Sequence, residues 1–145
     1  MEVPLFSIFS AVSELVVTAV VLYAIVKNVR GGKLPWKMLG SVLIFELCVN
    51  IVYMANRASH AETNAGLSTA MRFLFAAHGI LSLLMFVGLV VVVLMAIIDD
   101  KLGRPTWFRR HVRMTWAFLA LWMIAVISGE VIFVMHYGPA LLSTS

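Results

Sequence analysis

Four long runs of apolar residues, separated by short polar segments, dominate the hydropathy pattern of this chain of 145 residues. They cover residues 5–26, 38–55, 73–98 and 114–136. A helix that crosses a bilayer needs about 20 consecutive apolar residues, whereas a transmembrane β-strand alternates polar and apolar positions over about 10 residues. The pattern therefore predicts an all-α integral membrane protein. We expect one domain over residues 1–145, a four-helix bundle with up-down-up-down topology.

The composition supports the same class of protein. Hydrophobic residues make up 62% of the chain and charged residues 12%. A soluble domain is about 45–50% apolar and about 25% charged. These values exclude an ordinary soluble domain and make the lipid bilayer the first expected partner.

Basic residues are concentrated in two of the three connecting segments. The segments KNVRGGKLPWK and DDKLGRPTWFRRHVR hold nine of the eleven lysines and arginines. The positive-inside rule predicts that both segments are cytoplasmic and that both termini lie outside, in a bacterial inner membrane. The net charge of +4 reflects this asymmetry and does not suggest nucleic-acid binding. Because no basic segment precedes the first run, we expect a retained helix there and not a cleaved signal peptide.

Each apolar run contains one ionisable residue away from its ends. They are Glu14, Glu46, His78 and Glu130. Ionisable groups are costly in hydrocarbon and usually face the bundle interior or a cavity. Carboxylates and imidazoles are suitable ligands for iron, zinc or copper, so these four residues form the candidate metal site. The alternative interpretation is structural, with protonated carboxyls that donate hydrogen bonds between helices.

Glu130 is predicted to meet His78 where the third helix packs against the fourth. Their depths, counted from the outer boundary at about 1.5 Å per residue, agree within about one helical turn. Helices joined by a short loop are usually antiparallel neighbours. Ser128 and Gly129 are small enough to let another backbone come close.

Three imidazoles are candidate cofactor ligands: His78 within the third run, His60 in the outer loop and His136 near the end of the fourth run. Haem, copper and iron are the candidate cofactors. Cys48 is the only cysteine, which excludes covalent c-type haem and a thiol-based metal site. No nucleotide-binding loop, hydrolase triad or zinc-protease motif occurs, so no catalytic residue is assigned and a non-enzymatic protein is favoured.

The third and fourth runs carry a family resemblance. The stretches MRFLFAAHGILSLL and RRHVRMTWAFLALWMIAVISGEVIFVMHY resemble the small four-helix membrane proteins of the YozB/CtaM-like family, which includes an oxidase-maturation protein of Gram-positive bacteria. His78, His111, Trp122 and Gly129 stand at the matching positions. The resemblance implies a role in the maturation of haem-copper oxidases or in haem handling.

These observations leave several functions open. The first is a non-enzymatic accessory or assembly protein of a respiratory complex, which handles haem or metal near the outer membrane face. Its partners would be other integral membrane subunits. The second is a small b-type cytochrome that carries electrons, and the third is a structural transmembrane subunit of a larger complex. Proton or ion translocation through the carboxyls is disfavoured, because the inner half of the third run, VGLVVVVLMAII, has no polar side chain.

Overall fold

The computed structural model describes residues 5–59 and 68–142, with side chains described for residues 5–55 and 68–137. The described residues form helices and no strands. The helices are α1 (Leu5–Val29), α2 (Trp36–Ser59), α3 (Thr69–Lys101), the short α4 (Trp107–Arg110) and α5 (Val112–Leu142). Four of them, all except α4, are long and apolar enough to cross a membrane. The expected helical integral membrane class is therefore confirmed.

The helices are longer than the apolar runs that predict them. For example, the third run covers residues 73–98, whereas α3 extends from Thr69 to Lys101. The extension at its start is explained by Ser68, whose side chain accepts a hydrogen bond from the backbone N–H of Met71 and caps the helix. Helix α1 ends at a turn where Gly31 has φ 101°, a conformation that favours glycine.

Helix α5 has neighbours on two sides. It packs against α3 and α1, and α2 packs chiefly against α1. Helix α5 runs antiparallel to α1. Thr18 of α1 contacts Trp122 of α5, whereas Asn28, near the end of α1, contacts Thr106, which lies just before α4. Helix α2 is therefore the peripheral member of the bundle. Only 11% of the residues in its most apolar stretch are buried inside the protein.

Small and branched apolar side chains fill the contact between α1, α3 and α5. Val21, Ala24, Ile25 and Leu89 are fully buried, and Val93 is 1% exposed. This core lies in the half of the bundle nearer to residues 27–37 and 99–113, which we call the basic end. The buried Thr115 also lies in this half of the bundle, and its hydroxyl contacts backbone carbonyls.

Buried polar groups join α1 to α4 at the basic end. The Asn28 side chain accepts a hydrogen bond from the Thr106 hydroxyl and donates one to the carbonyl of Gly32. Arg109 donates from Nε to the Asn28 carbonyl and from a terminal nitrogen to the Gly32 carbonyl, each at 2.7 Å. A helix leaves its last carbonyls without intrahelical partners. Arg109 therefore caps the end of α1, and we call this group of contacts the α1 clasp.

A second polar contact joins α3 to α4. Arg110 forms an ion pair at 2.7 Å with Asp99, which is buried near the end of α3. The next turn begins with Thr115, whose hydroxyl contacts the carbonyls of Phe108 and His111. Two arginines of the basic segment after α3, Arg109 and Arg110, therefore make structural contacts.

Replacement of Arg109 by alanine should weaken the basic end. Arg109→Ala removes two charge-assisted hydrogen bonds to the end of α1, and we expect a loss of about 2 kcal/mol in the free energy of unfolding. Reversible unfolding in mixed detergent micelles measures this loss. The control is Arg104→Ala, at an exposed position of the same segment. Equal stabilities of the two variants would contradict the clasp.

Candidate functional site

The ionisable residues that lie away from the ends of the four apolar runs are in the half of the bundle opposite to the basic end. Glu14 belongs to α1, Glu46 to α2, His78 to α3 and Glu130 to α5. All four are partly buried. We call them, together with Ser128, the intramembrane cluster. The structure brings some of its members together and keeps others apart.

Gly129 is the point of closest approach within the cluster. A Cβ atom at this position would lie 2.8 Å from Cε1 and 3.1 Å from Nε2 of His78, and 3.6 Å from Oε2 of Glu14. The first distance is shorter than real Cβ contacts allow, so the His78 ring rests directly on the backbone of α5. Because Gly129 has no side chain, an imidazole from α3 and a carboxyl from α1 approach the same point.

Two serine hydroxyls surround the His78 ring. The Ser128 hydroxyl lies 3.0 Å from Nδ1 and donates to the carbonyl of Ala125 at 2.7 Å. The Ser82 hydroxyl, one turn along α3, lies 3.5 Å from Nδ1 and 3.4 Å from Nε2. Nε2 is also the ring nitrogen that lies near the Gly129 backbone.

Glu14 has carboxyl neighbours on two other helices. Glu46 of α2 and Glu130 of α5 both lie within electrostatic range of it. Glu46 is also bound within its own helix, because its Oε1 accepts a hydrogen bond of 2.9 Å from Asn50.

Glu130 follows directly after Ser128 and Gly129, the two residues that meet the His78 ring. It also lines a groove between α1 and α5, beside Leu15 and Val131. The expected contact of Glu130 with His78 stays a prediction.

His136, another candidate cofactor ligand, is not part of the cluster. His136 packs edge-on against Phe75 and Tyr137, with ring centroids 5.9 and 4.6 Å away. It lies eight residues beyond Ser128 along α5, or about 12 Å. His60 lies outside the described residues.

The described residues contain no group of three or more histidine, cysteine, aspartate or glutamate side chains arranged to hold a metal ion. Two of the four predicted metal ligands, His78 and Glu14, approach one point. Glu46 and Glu130 lie within electrostatic range of Glu14. Within the described part of the chain, the cluster thus offers two donors and two further carboxyls at longer range.

A polar contact that the sequence did not reveal lies between the cluster and the apolar core. Trp122 donates from Nε1 to the Thr18 hydroxyl at 3.1 Å, and both side chains are buried. Tryptophan in a membrane helix is usually an interfacial residue, so its use as a buried donor was not expected. Thr18 lies one turn from Glu14 on α1, and it was visible in the sequence as a polar position at helical spacing.

Comparisons with known proteins add no identification. No protein-family model matches the chain, and no curated protein or solved structure matches it significantly.

Replacement of Gly129 by alanine should displace the His78 ring. The added Cβ would lie 2.8 Å from Cε1, and overpacking of this kind costs about 1–3 kcal/mol. The free energy of unfolding in mixed micelles should fall accordingly. His78→Ala introduced into Gly129→Ala should restore most of the loss, because it removes the clash.

The matched control is Gly79→Ala on α3, where a Cβ would meet nothing within 4 Å. This change should be neutral or raise stability by up to about 1 kcal/mol, since alanine favours helices. If Gly129→Ala behaved like Gly79→Ala, the close approach would be refuted.

Proposed function

We propose that the protein is a non-enzymatic membrane accessory or assembly protein, which handles haem or a metal ion at the intramembrane cluster for a larger complex such as a respiratory oxidase. The observation that carries the proposal is the orientation of His78. Its Nδ1 lies 3.0 Å from the Ser128 hydroxyl, and its Nε2 and the Glu14 carboxyl both lie near Gly129. A histidine that binds a metal usually donates its other ring N–H to a fixed acceptor in this way.

The chemistry of the two donors suits a transition metal. A neutral imidazole and a carboxylate are typical ligands of iron, zinc and copper. The charges of Glu46 and Glu130 would add to the attraction of a cation towards Glu14. Two close donors in the described residues do not enclose an ion, so the remaining ligands would come from the cofactor, from water or from a partner subunit. An incomplete site is suited to receiving a group and passing it on.

The apolar layer towards the basic end supports binding over translocation. A path for protons or ions needs polar groups on both sides of the membrane. Val21, Ile25, Leu89 and Val93 fill the described core between the cluster and the basic end, each at most 1% exposed. We infer that the cluster exchanges with one side of the membrane. By the positive-inside rule this is the outer side, and the basic end is cytoplasmic.

A b-type cytochrome with two histidine ligands from this chain is less well supported. Two imidazoles at the same height are needed to hold the iron from both faces of the haem. Among the described residues, His136 lies about two turns beyond the level of His78 and packs against Phe75. His111 lies at the basic end beside Trp107.

One observation favours a second candidate, the structural transmembrane subunit. Helix α2 packs chiefly against α1, and most of its large apolar side chains are exposed, among them Ile44, Leu47, Ile51 and Met54. A larger membrane complex could cover this face with its own helices. Such a subunit would copurify with the complex in a fixed ratio and carry no cofactor itself.

The proposal predicts a cofactor on the purified protein. Protein purified from haem-replete cells should show a Soret band or contain bound copper or iron. His78→Ala should abolish the signal, and Ser128→Ala should lower the affinity about 10–100-fold because it releases the ring. His111→Ala, an exposed histidine at the basic end, is the control and should retain the signal.

A colourless and metal-free preparation from these cells would count against the proposal. Normal oxidase activity in a deletion strain would remove its physiological part. Stoichiometric copurification with a large complex, without any cofactor, would support the structural subunit instead.

A further inference from the structure

One exposed face of α1 changes its chemical character towards the basic end. Val16, Ala19, Tyr23, Lys27 and Arg30 follow one another at steps of three or four residues, and all five are exposed. Residues at this spacing share one face of a helix. Along this face the side chains pass from aliphatic to aromatic to cationic. A phospholipid has the same order of parts, from its acyl chains through the glycerol to the phosphate.

The turn after α1 holds the Lys27 side chain in place. The backbone N–H of Gly32 donates to the Lys27 carbonyl at 2.9 Å, so the chain folds back over this residue. A Cβ at Gly32 would lie 2.8 Å from Cγ and 3.4 Å from Cε of Lys27, which shows that the lysine stem rests on the glycine backbone. The Lys27 ammonium lies 5.5 Å from the centroid of the Tyr23 ring, a contact that attracts a cation. Tyrosine rings are enriched at the level of the lipid headgroups, so the ammonium is held at that level.

The positive charge of this turn is not matched by acidic residues. Lys27, Arg30 and Lys33 are exposed within seven residues of the chain. No aspartate or glutamate occurs in residues 15–45. Among the described residues, none of the three cations forms an ion pair with a carboxylate. They therefore remain available to an external anion.

The end of α1 does not repel such an anion. The last carbonyls of a helix carry partial negative charge and normally disfavour an anion beside them. Here Arg109 donates to the carbonyls of Asn28 and Gly32, each at 2.7 Å. The clasp thus covers these carbonyls with a guanidinium and leaves the exposed cations on the outer face of the turn.

We propose that this face of α1 binds one anionic phospholipid. Its phosphate lies between Lys27 and Arg30, its glycerol lies beside Tyr23, and an acyl chain follows Ala19 and Val16. A zwitterionic lipid carries its own cation next to the phosphate, so an unmatched cluster of protein cations selects a lipid with net negative charge. An acidic soluble protein would be attracted by the same charges, but it would not use the ring and the aliphatic positions that continue the face into the membrane. The site does not depend on the proposed cofactor.

Native mass spectrometry of the detergent-solubilised protein tests the site, with phosphatidylglycerol and phosphatidylcholine of identical acyl chains as the probes. We expect one phosphatidylglycerol per chain to be retained more tightly than phosphatidylcholine. The double variant Lys27→Gln with Arg30→Gln should lower the affinity for phosphatidylglycerol by about tenfold or more, since each basic group near an anionic lipid contributes about fivefold. Tyr23→Leu keeps both charges and should lower the affinity by about two- to fivefold through the lost ring contact.

The matched control is the double variant Lys101→Gln with Arg104→Gln. It removes two exposed positive charges from the other basic segment, so the net charge of the two double variants is the same. The control should change the affinity for phosphatidylglycerol by less than about twofold, because its cations are not part of the site. Both double variants alter exposed side chains and should keep the thermal stability of the lipid-free protein.

Added phosphatidylglycerol should then raise the melting temperature of the wild type and of the control more than that of Lys27→Gln with Arg30→Gln. Equal losses of affinity in the two double variants would show a diffuse attraction and overturn the proposal. Equal binding of phosphatidylglycerol and phosphatidylcholine by the wild type would also overturn it. So would a photocrosslinker at position 27 that captures a soluble acidic protein and no lipid in membranes.

Discussion

The close contact at Gly129 determines the geometry of the intramembrane cluster. Helices usually pack with their axes about 8–10 Å apart, and the side chains at the contact set the distance. At Gly129 the His78 ring takes the place of a side chain, 2.8 Å from where a Cβ would be. This lets His78 bond to Ser128 and still approach the side of α5 that Glu14 reaches. A larger residue would separate the imidazole from both.

The two ends of the bundle depend on different interactions. At the basic end, buried polar groups join α1 and α3 to the segment before α5, through Arg109 and through the pair of Arg110 with Asp99. This fixes the position of α5 along α1. Thr18, which contacts Trp122, lies ten residues before Asn28 on α1, or about 15 Å along the helix. Glu14 lies one further turn from Asn28. The clasp thus sets the register that brings Glu14 to the level of Gly129.

The sequence predicts the spans and most of the cluster because both follow from simple rules. Length and apolarity identify the four long helices, and the cost of charge in hydrocarbon identifies Glu14 and His78 as inward-facing. The partner of Glu130 stays a prediction, because helical spacing gives a direction around one helix but not the neighbour that lies there. The clasp was missed because Asn28, Thr106 and Arg109 occur in a polar segment, and polarity alone does not distinguish a solvated loop from a buried hydrogen-bond network.

The three carboxyls differ in how the described residues compensate them, and this difference separates their roles. Glu46 receives a hydrogen bond from Asn50 of its own helix, so α2 supports one of its oxygens without help from a neighbour. Glu14 approaches the same point as an imidazole. Glu46 and Glu130 each keep one buried oxygen with no donor among the described residues, and Glu130 also lines the apolar groove between α1 and α5. Polar groups in a bilayer core are costly unless satisfied. Among the described residues this cost falls on one oxygen of α2 and one of α5, whereas the Glu14 carboxyl lies near the His78 ring at Gly129.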